Sequence, residues 1–223
     1  MKTNLPADTA KFLESRRRMV QKQLEARDIV DPNLLEVMRS IPRHAFVPDD
    51  LLNDAYADHP VSIGYGQTIS QPYIVASMTQ ELKLRRQDRV LEIGTGCGYQ
   101  TAVLASLVEQ VYSIEIVPEL ATAASERLDA LGFGNVEVKT GDGSNGWSEE
   151  APFDAILIAA TASHVPRKLT EQMASEGRMI MPLTHAGSPA QELVLFQKTN
   201  SGLTRNSLYS VRFVPLTGQG NPK

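Results

Sequence analysis

Arg89-Val90-Leu91-Glu92-Ile93-Gly94-Thr95-Gly96-Cys97-Gly98-Tyr99-Gln100 reads as an apolar strand ending in an acid, a turn with glycine at alternate positions, and the start of a helix. Glycine serves such a turn because it adopts positive φ and carries no Cβ, so bare backbone approaches a ligand while the next helix offers unpaired N–H groups. A dinucleotide fingerprint places its third glycine three residues after the second, for close helix packing. Here that position holds Tyr99. Glu92 also counts against a pyrophosphate, because a carboxylate repels phosphate and attracts a cation.

The next strand pattern, Gln110-Val111-Tyr112-Ser113-Ile114-Glu115, also finishes in a carboxylate. It lies about 20 positions after Gly94, the spacing at which an acid takes ribose hydroxyls. Taken alone, the glycines are equally those of a tight strand-to-helix connection. With Glu92 and Glu115 added, the pattern favours an adenosyl nucleoside bearing positive charge and no phosphate, and S-adenosylmethionine, with its ammonium and sulfonium, answers that description.

The rest of the chain has the composition of a soluble globular protein: 223 residues, 42% hydrophobic and 22% charged. No apolar run reaches the ~18 residues of a membrane span. The opening Met1-Lys2-Thr3-Asn4-Leu5-Pro6-Ala7-Asp8 lacks the apolar centre of a secretory signal, and the single cysteine, Cys97, forms no internal disulfide. Both features point to the cytoplasm. A formal charge of −4 argues against a protein that holds nucleic acid by phosphate neutralisation. The basic cluster Lys11, Arg16, Arg17, Arg18, Lys22 and Arg27 interleaves with Met19, Val20 and Leu24, as the solvated face of a helix does. The four histidines, His44, His59, His164 and His185, have no metal-ligand spacing, so no metal is expected.

Helical patterns run from Ser15 to Arg27 and from Asp31-Pro32, where Asp caps and Pro suits the first turn. Val61 to Ser70 reads as an extended loop or hairpin before a helix starting near Pro72. After Asp88 the elements alternate: strands at Val90 to Ile93, Val111 to Glu115, Val136 to Lys139, Ala155 to Ile158 and Met179 to Leu183, with helices between most of them. One helix is framed by Pro118 and Gly132. Runs Leu193 to Gln197 and Leu208 to Val214 follow without a helix, which implies an antiparallel edge. The fold class is therefore α/β: a doubly wound, mostly parallel sheet with an antiparallel C-terminal edge and a helical N-terminal extension. Residues 1–80 are read as that extension and 81–223 as the cofactor-binding core, within one functional unit. Such sheets bind ligands beyond the carboxyl ends of their strands, where Gly94, Glu115 and the loop Gly141-Asp142-Gly143 meet.

Gln67-Thr68-Ile69-Ser70-Gln71-Pro72 carries a more specific signal. With Pro42-Arg43-His44-Ala45-Phe46-Val47-Pro48, Pro152-Phe153-Asp154-Ala155-Ile156-Leu157 and Arg212-Phe213-Val214-Pro215-Leu216, it resembles the protein-L-isoaspartate O-methyltransferases, a family of Rossmann-like, S-adenosylmethionine-dependent enzymes, from about Met19 to Leu216. The resemblance implies methylation of the free α-carboxylate of L-isoaspartyl residues in damaged proteins and peptides, initiating repair through a succinimide. It implies that Ser70 is the active-site residue, with Thr68, Ile69 and Gln71 helping to close the cofactor site. It assigns Glu92, Gly94 and Gly96 to the methionine-binding loop, Glu115 to the ribose, Asp142 and Gly143 to the adenine side, Val214 to the substrate peptide through its backbone, and Thr217 to a C-terminal cofactor contact. Departures occur at Asp28, where the family often has glycine, at Ser144-Asn145, at Arg178 in place of a second glycine, and from Ala159 to His164.

A carboxylate with a pKa near ~3.5 to 4 is already ionised at neutral pH, so methyl transfer to it requires alignment and exclusion of water rather than a general base. Ser70 then acts by hydrogen bonding, since no Gly-x-Ser-x-Gly elbow surrounds it. From the residues alone, Ser70 also reads as a helix cap or turn residue, Glu115 as a solvated strand end, and Asp142 as a turn former. Cys97 reads as a passive small residue, and Trp147 as packing or a pocket wall. Tyr73 borders the substrate or is a surface aromatic. Three other readings remain at this point: a methyltransferase for a small molecule or RNA, a non-catalytic nucleoside-binding module, and a nicotinamide dehydrogenase, which Tyr99 and Glu92 disfavour.

Overall fold

In a computed structural model that describes residues 5–185 and 187–218, seven strands form one sheet. Met1 to Asn4, part of the opening stretch considered above, lie outside the described residues. Strands β3 (Arg89–Ile93), β4 (Gln110–Glu115), β5 (Val136–Thr140) and β6 (Phe153–Ile158) pair in parallel. β7 (Met173–Thr184) continues the parallel set, and β8 (Gln191–Thr199) and β9 (Gly202–Val211) add antiparallel to it. A separate hairpin, β1 (Val61–Gly64) with β2 (Gln67–Ile69), precedes them. The sheet order β5-β4-β3-β6-β7-β8-β9 makes the chain leave β3 toward one edge and later return on its other side. The carboxyl end of β3 is therefore a topological switch point, where a crevice opens for ligand.

β3, β4 and β6 read as near-continuous apolar runs because helices cover both faces of the sheet. Leu91, Ile93 and Ile156 pack on one face, and Val90, Val111 and Leu157 on the other, with Leu104 of α4 (Tyr99–Leu107) and Met78 of α3 (Pro72–Glu81). α5 (Pro118–Ala130) places Leu120, Ala124 and Leu128 inward as its period requires. Between β5 and β6 there are only two short 3₁₀ turns, Gly143–Asn145 and Ser148–Glu150, and a five-residue helix, α6 (Arg167–Glu171), precedes β7.

The N-terminal helix begins earlier than its pattern predicts. α1 (Ala10–Met19) passes into a π-helical turn, Val20–Glu25, which buries Val20 and Leu24. Arg17, Arg18 and Lys22 are exposed, as a solvated face requires, but Arg16 is not. Its side chain pairs with Asp8 at 2.9 Å and its Nε donates to the Arg39 carbonyl at 2.6 Å, so one member of the basic cluster is structural. α2 (Pro32–Ser40) is capped by Asp31, whose carboxylate accepts from the N–H groups of Asn33 and Leu34. Met19, Leu24, Met38 and Phe46 share one apolar cluster with Tyr99, Val103 and Leu128, so the extension and the glycine turn are packed together. Among the described residues no helix is long and apolar enough to cross a membrane.

β7 starts six residues before its predicted strand, and the last strand ends before Val214, because a turn at Asn200 and Ser201 pairs β8 with β9 along their whole length. Arg178, one of the departures noted above, ties β7 to the segment leading into β3. It pairs with Asp88 at 2.6 Å and donates to the carbonyls of Leu82 and Lys83. Asp88 is only 6% exposed, so removing its partner leaves a buried carboxylate without a counter-charge. Arg178→Met is expected to lower the unfolding free energy by about 3 kcal/mol in urea titration; a loss below about 0.5 kcal/mol would show the pair to be idle.

Candidate active site

The turn after β3 is fixed by two hydrogen bonds to β4. The Gly94 N–H donates to the Ile114 carbonyl and the Gly96 N–H to the Glu115 carboxylate, both at 2.8 Å. Gly94 (φ 95°) and Gly96 (φ 55°) lie in the left-handed region that glycine adopts without strain. A Cβ on Gly96 would stand 3.3 Å from Ile63 of the β1–β2 hairpin, so the hairpin closes directly over bare backbone. Gly98 serves packing instead: its own Cβ would press on Leu128 of α5. Tyr99, where a dinucleotide fold has its third glycine, is buried edge-on against Phe46.

These elements enclose one cavity. The hairpin and the residue after it contribute Thr68, Ile69 and Ser70, and the turn contributes Gly94 and Gly96. The neighbouring strand ends add Glu115 and Gly143, and the C-terminal segment adds Val214 and Thr217. Glu115 is held by the N–H groups of Gly96 and Val117, one on each carboxylate oxygen, and each oxygen retains a further lone pair for a ligand. Ser70, Thr68, Ala159 and Val214 also line a second groove, with Ile74, Arg212 and Phe213. Ser70 therefore stands at the partition between two openings. The Val214 carbonyl accepts from the Thr161 N–H, and the Leu216 N–H donates to the Thr161 carbonyl, which pins the C-terminal segment beside the cavity.

Three of the predicted site residues lie outside the cavity wall. Glu92, expected to face a cationic ligand, is fully buried behind the turn because alternation along β3 turns it toward α4. Its Oε2 accepts from the hydroxyls of Thr101 and Ser113, both at 2.6 Å, and its Oε1 has no hydrogen-bond partner among the described residues. Burial pushes its pKa up to about 7 against those hydrogen bonds, so at neutral pH much of its charge is gone. Gln71 turns outward, its amide donating to the Asp58 carbonyl and carboxylate, and it lines the second groove. Asp142 caps the Ser144 N–H and hydroxyl and packs against Gly218, leaving Gly143 as the cavity-facing residue of its loop.

The wall also holds residues that sequence reading passed over. Ile116 is one, and its signal is an exposed apolar residue directly after the strand-end acid. Ala159 and Ala160 follow β6 at the other side of the switch point and show no motif of their own. Cys97 lines the cavity with its thiol pKa raised by burial, which fits an unreactive residue. His44 is buried, stacked on Phe12 and bonded to the Tyr56 hydroxyl, whereas His59, His164 and His185 are exposed. Trp147 packs edge-on against Tyr112, and the Tyr73 hydroxyl donates to Asp28.

The geometry has counterparts among known proteins. A family model described as protein-L-isoaspartate(D-aspartate) O-methyltransferase matches residues 14–221. The protein-L-isoaspartate O-methyltransferase of Opitutus terrae is 54% identical over 202 residues, spanning 91% of this chain and 86% of its own. That of a Picosynechococcus species is 51% identical over 203 residues, spanning 91% and 90%. A solved protein-L-isoaspartate O-methyltransferase superposes with a TM-score of 0.85 at 28% identity, over 92% of this chain and 67% of its own. A Plasmodium falciparum structure assigned to the same activity, in complex with S-adenosyl-L-homocysteine, gives 0.79 at 25% identity, over 91% and 98%.

The buried carboxyl of Glu92 makes stability depend on pH. Its pKa is higher in the folded chain, so the folded state holds the proton more tightly. The stability this confers is complete below the ordinary value of 4.5 and is lost as pH rises through about 7. Glu92→Gln, neutral throughout, is expected to remove that decline in urea titrations from pH 5 to 8; an unchanged slope would show that Glu92 is ionised in the folded protein across the range.

Proposed function

The chain belongs to the protein-L-isoaspartate(D-aspartate) O-methyltransferase family, and on that premise we propose that it transfers a methyl group from S-adenosylmethionine to the free α-carboxylate of L-isoaspartyl residues in damaged proteins and peptides, initiating repair through a succinimide. The observation that carries this reading is the position of Ser70, whose side of the hairpin borders both the glycine-lined cavity and the outer groove. One opening suits a nucleoside and the other a polypeptide.

The cavity fits the co-substrate. Bare backbone at Gly94 and Gly96 admits close approach, the Glu115 carboxylate suits ribose hydroxyls, and Ile116 offers an apolar surface at the same strand end. Thr68 and Ile69, on the hairpin, and Thr217, on the C-terminal segment, close the opposite side, and Gly143 borders the end of β5. Glu92 and Asp142 act from behind, by supporting the turn and the loop, and Gln71 ties the base of the hairpin to Asp58. S-adenosylmethionine supplies an electrophilic methyl on a cationic sulfur when bound. The protein's own residues align the acceptor carboxylate and exclude water, which needs no base because the carboxylate is already ionised. Ser70 donates a hydrogen bond that orients that carboxylate, and the Val214 backbone holds the substrate peptide.

In this reading residues 1–80 carry the hairpin and close the site, residues 81–223 form the methyltransferase core, and the enzyme works in the cytoplasm. Labelled methyl is expected to pass from S-adenosylmethionine to an L-isoaspartyl peptide and not to its normal aspartyl counterpart. Equal labelling of both would point to a different acceptor. Ser70→Ala is expected to lose about tenfold or more in turnover, as misorientation at a reacting centre does, and activity within about twofold of wild type would remove Ser70 from the mechanism. Glu115→Ala should weaken S-adenosylhomocysteine binding about tenfold by calorimetry, the worth of a charge-assisted hydrogen bond; unchanged affinity would place the ribose elsewhere.

A further inference from the structure

Arg43 is fully buried and forms no ion pair among the described residues. Its Nε donates to the Ala55 carbonyl and its Nη2 to the Ser70 carbonyl, each at 2.7 Å. Its guanidinium lies over the Tyr99 ring, 4.7 Å from the centroid, and its Nη1 is buried with no hydrogen-bond partner among the described residues. Burying a cation without an acid is costly, and the strain shows in a guanidinium pKa driven down by desolvation. A side chain held there only for packing would be replaced at no loss by an apolar one.

The two carbonyls explain the arrangement. Ala55 precedes the β1–β2 hairpin and Ser70 follows it, so one planar fork clamps both feet of the segment that roofs the cavity. The aromatic face beneath belongs to Tyr99, the first residue of α4 after the glycine turn. Arg43 thus joins the roof, the serine and the turn through a single rigid group, which lysine, a point charge on a flexible stem, does not reproduce. Among the described residues the Ser70 backbone has no other anchor of this kind: the first bond of α3 runs from the Val75 N–H to the Gln71 carbonyl, one residue further on.

Resting on the reaction proposed above, we infer that Arg43 is a positioning residue for methyl transfer, holding the Ser70 backbone so that its hydroxyl meets the acceptor carboxylate in line with the methyl group.

The test is a double-substitution cycle in the full chain. kcat and KM for an L-isoaspartyl peptide, and S-adenosylhomocysteine affinity by calorimetry, are measured for wild type, Arg43→Lys, Ser70→Ala and the pair. Arg43→Lys is expected to lower kcat/KM about tenfold or more, to leave S-adenosylhomocysteine affinity within about twofold, and to cost less than about twofold once Ser70 is alanine. The same loss in both backgrounds, or affinity for S-adenosylhomocysteine falling in step with turnover, overturns the positioning role and leaves the reaction standing. Ser70→Ala as active as wild type overturns the roles of both residues, and a wild-type enzyme that methylates no isoaspartyl peptide overturns the reaction and this role together. If Arg43→Lys lacks a cooperative thermal transition, Arg43→Gln, which is neutral and keeps an N–H donor, replaces it in the cycle with the same criteria.

Discussion

Two hydrogen bonds from the glycine turn to β4 hold the site in place. By donating to the Ile114 carbonyl and the Glu115 carboxylate, the Gly94 and Gly96 N–H groups lock the end of β3 to the end of its neighbour. The turn is thereby rigid while still presenting backbone without side chains. Every other wall of the cavity is built against that fixed edge. The hairpin seats Ile63 on Gly96, α5 seats Leu128 under Gly98, and the C-terminal segment is pinned from the β6 side through Thr161. A Cβ at Gly96 would strain the backbone and press on the hairpin at once.

The N-terminal extension follows from the same constraint. A glycine turn open to solvent on its hairpin side would leave a reactive co-substrate exposed to water, and a two-stranded hairpin is not stable by itself. Its support comes from packing: Phe46 meets Tyr99, Met38 and Leu24 join the same cluster, and Gln71 reaches back to Asp58. Tyr99, which spoke against a dinucleotide, is the residue that lets the extension dock, because it fills with an aromatic ring the space a third glycine would leave.

The core of the fold was legible in the sequence where physical patterns are strong. The switch-point strand β3, its acid-ended neighbour β4 and the Pro-to-Gly frame of α5 were all marked by periodicity and by residues of special conformation. The antiparallel edge was legible as a class but not in extent, because a β8–β9 turn of polar residues carries no sharp signal and β7 begins in a segment of mixed polarity. The burial of Arg16 and of Glu92 was not legible for a common reason. A charged side chain looks solvent-facing or ligand-facing in sequence, and only the fold supplies the partners, Asp8 and the Thr101 and Ser113 hydroxyls, that let each be buried. Ser70 was marked by family resemblance alone, since a serine before Gln-Pro is by itself an ordinary helix entry.

The charge layout answers a difficulty inherent in the reaction. A pocket acidic enough to hold a sulfonium would repel the anionic carboxylate that must approach it. The structure keeps the acidity limited and one-sided. Burial raises the pKa of Glu92 until its charge is partly lost at neutral pH, and the Glu115 carboxylate is covered by two backbone N–H groups on the nucleoside side. Beside Ser70 stand Arg43, buried behind it, and Arg212 along the outer groove, while the Asp58 carboxylate is engaged by Gln71 and Arg27. In the reaction proposed above, the nucleoside meets the Glu115 carboxylate and the acceptor carboxylate meets the Ser70 side, where two arginines stand, so substrates of opposite charge approach each other across a single serine.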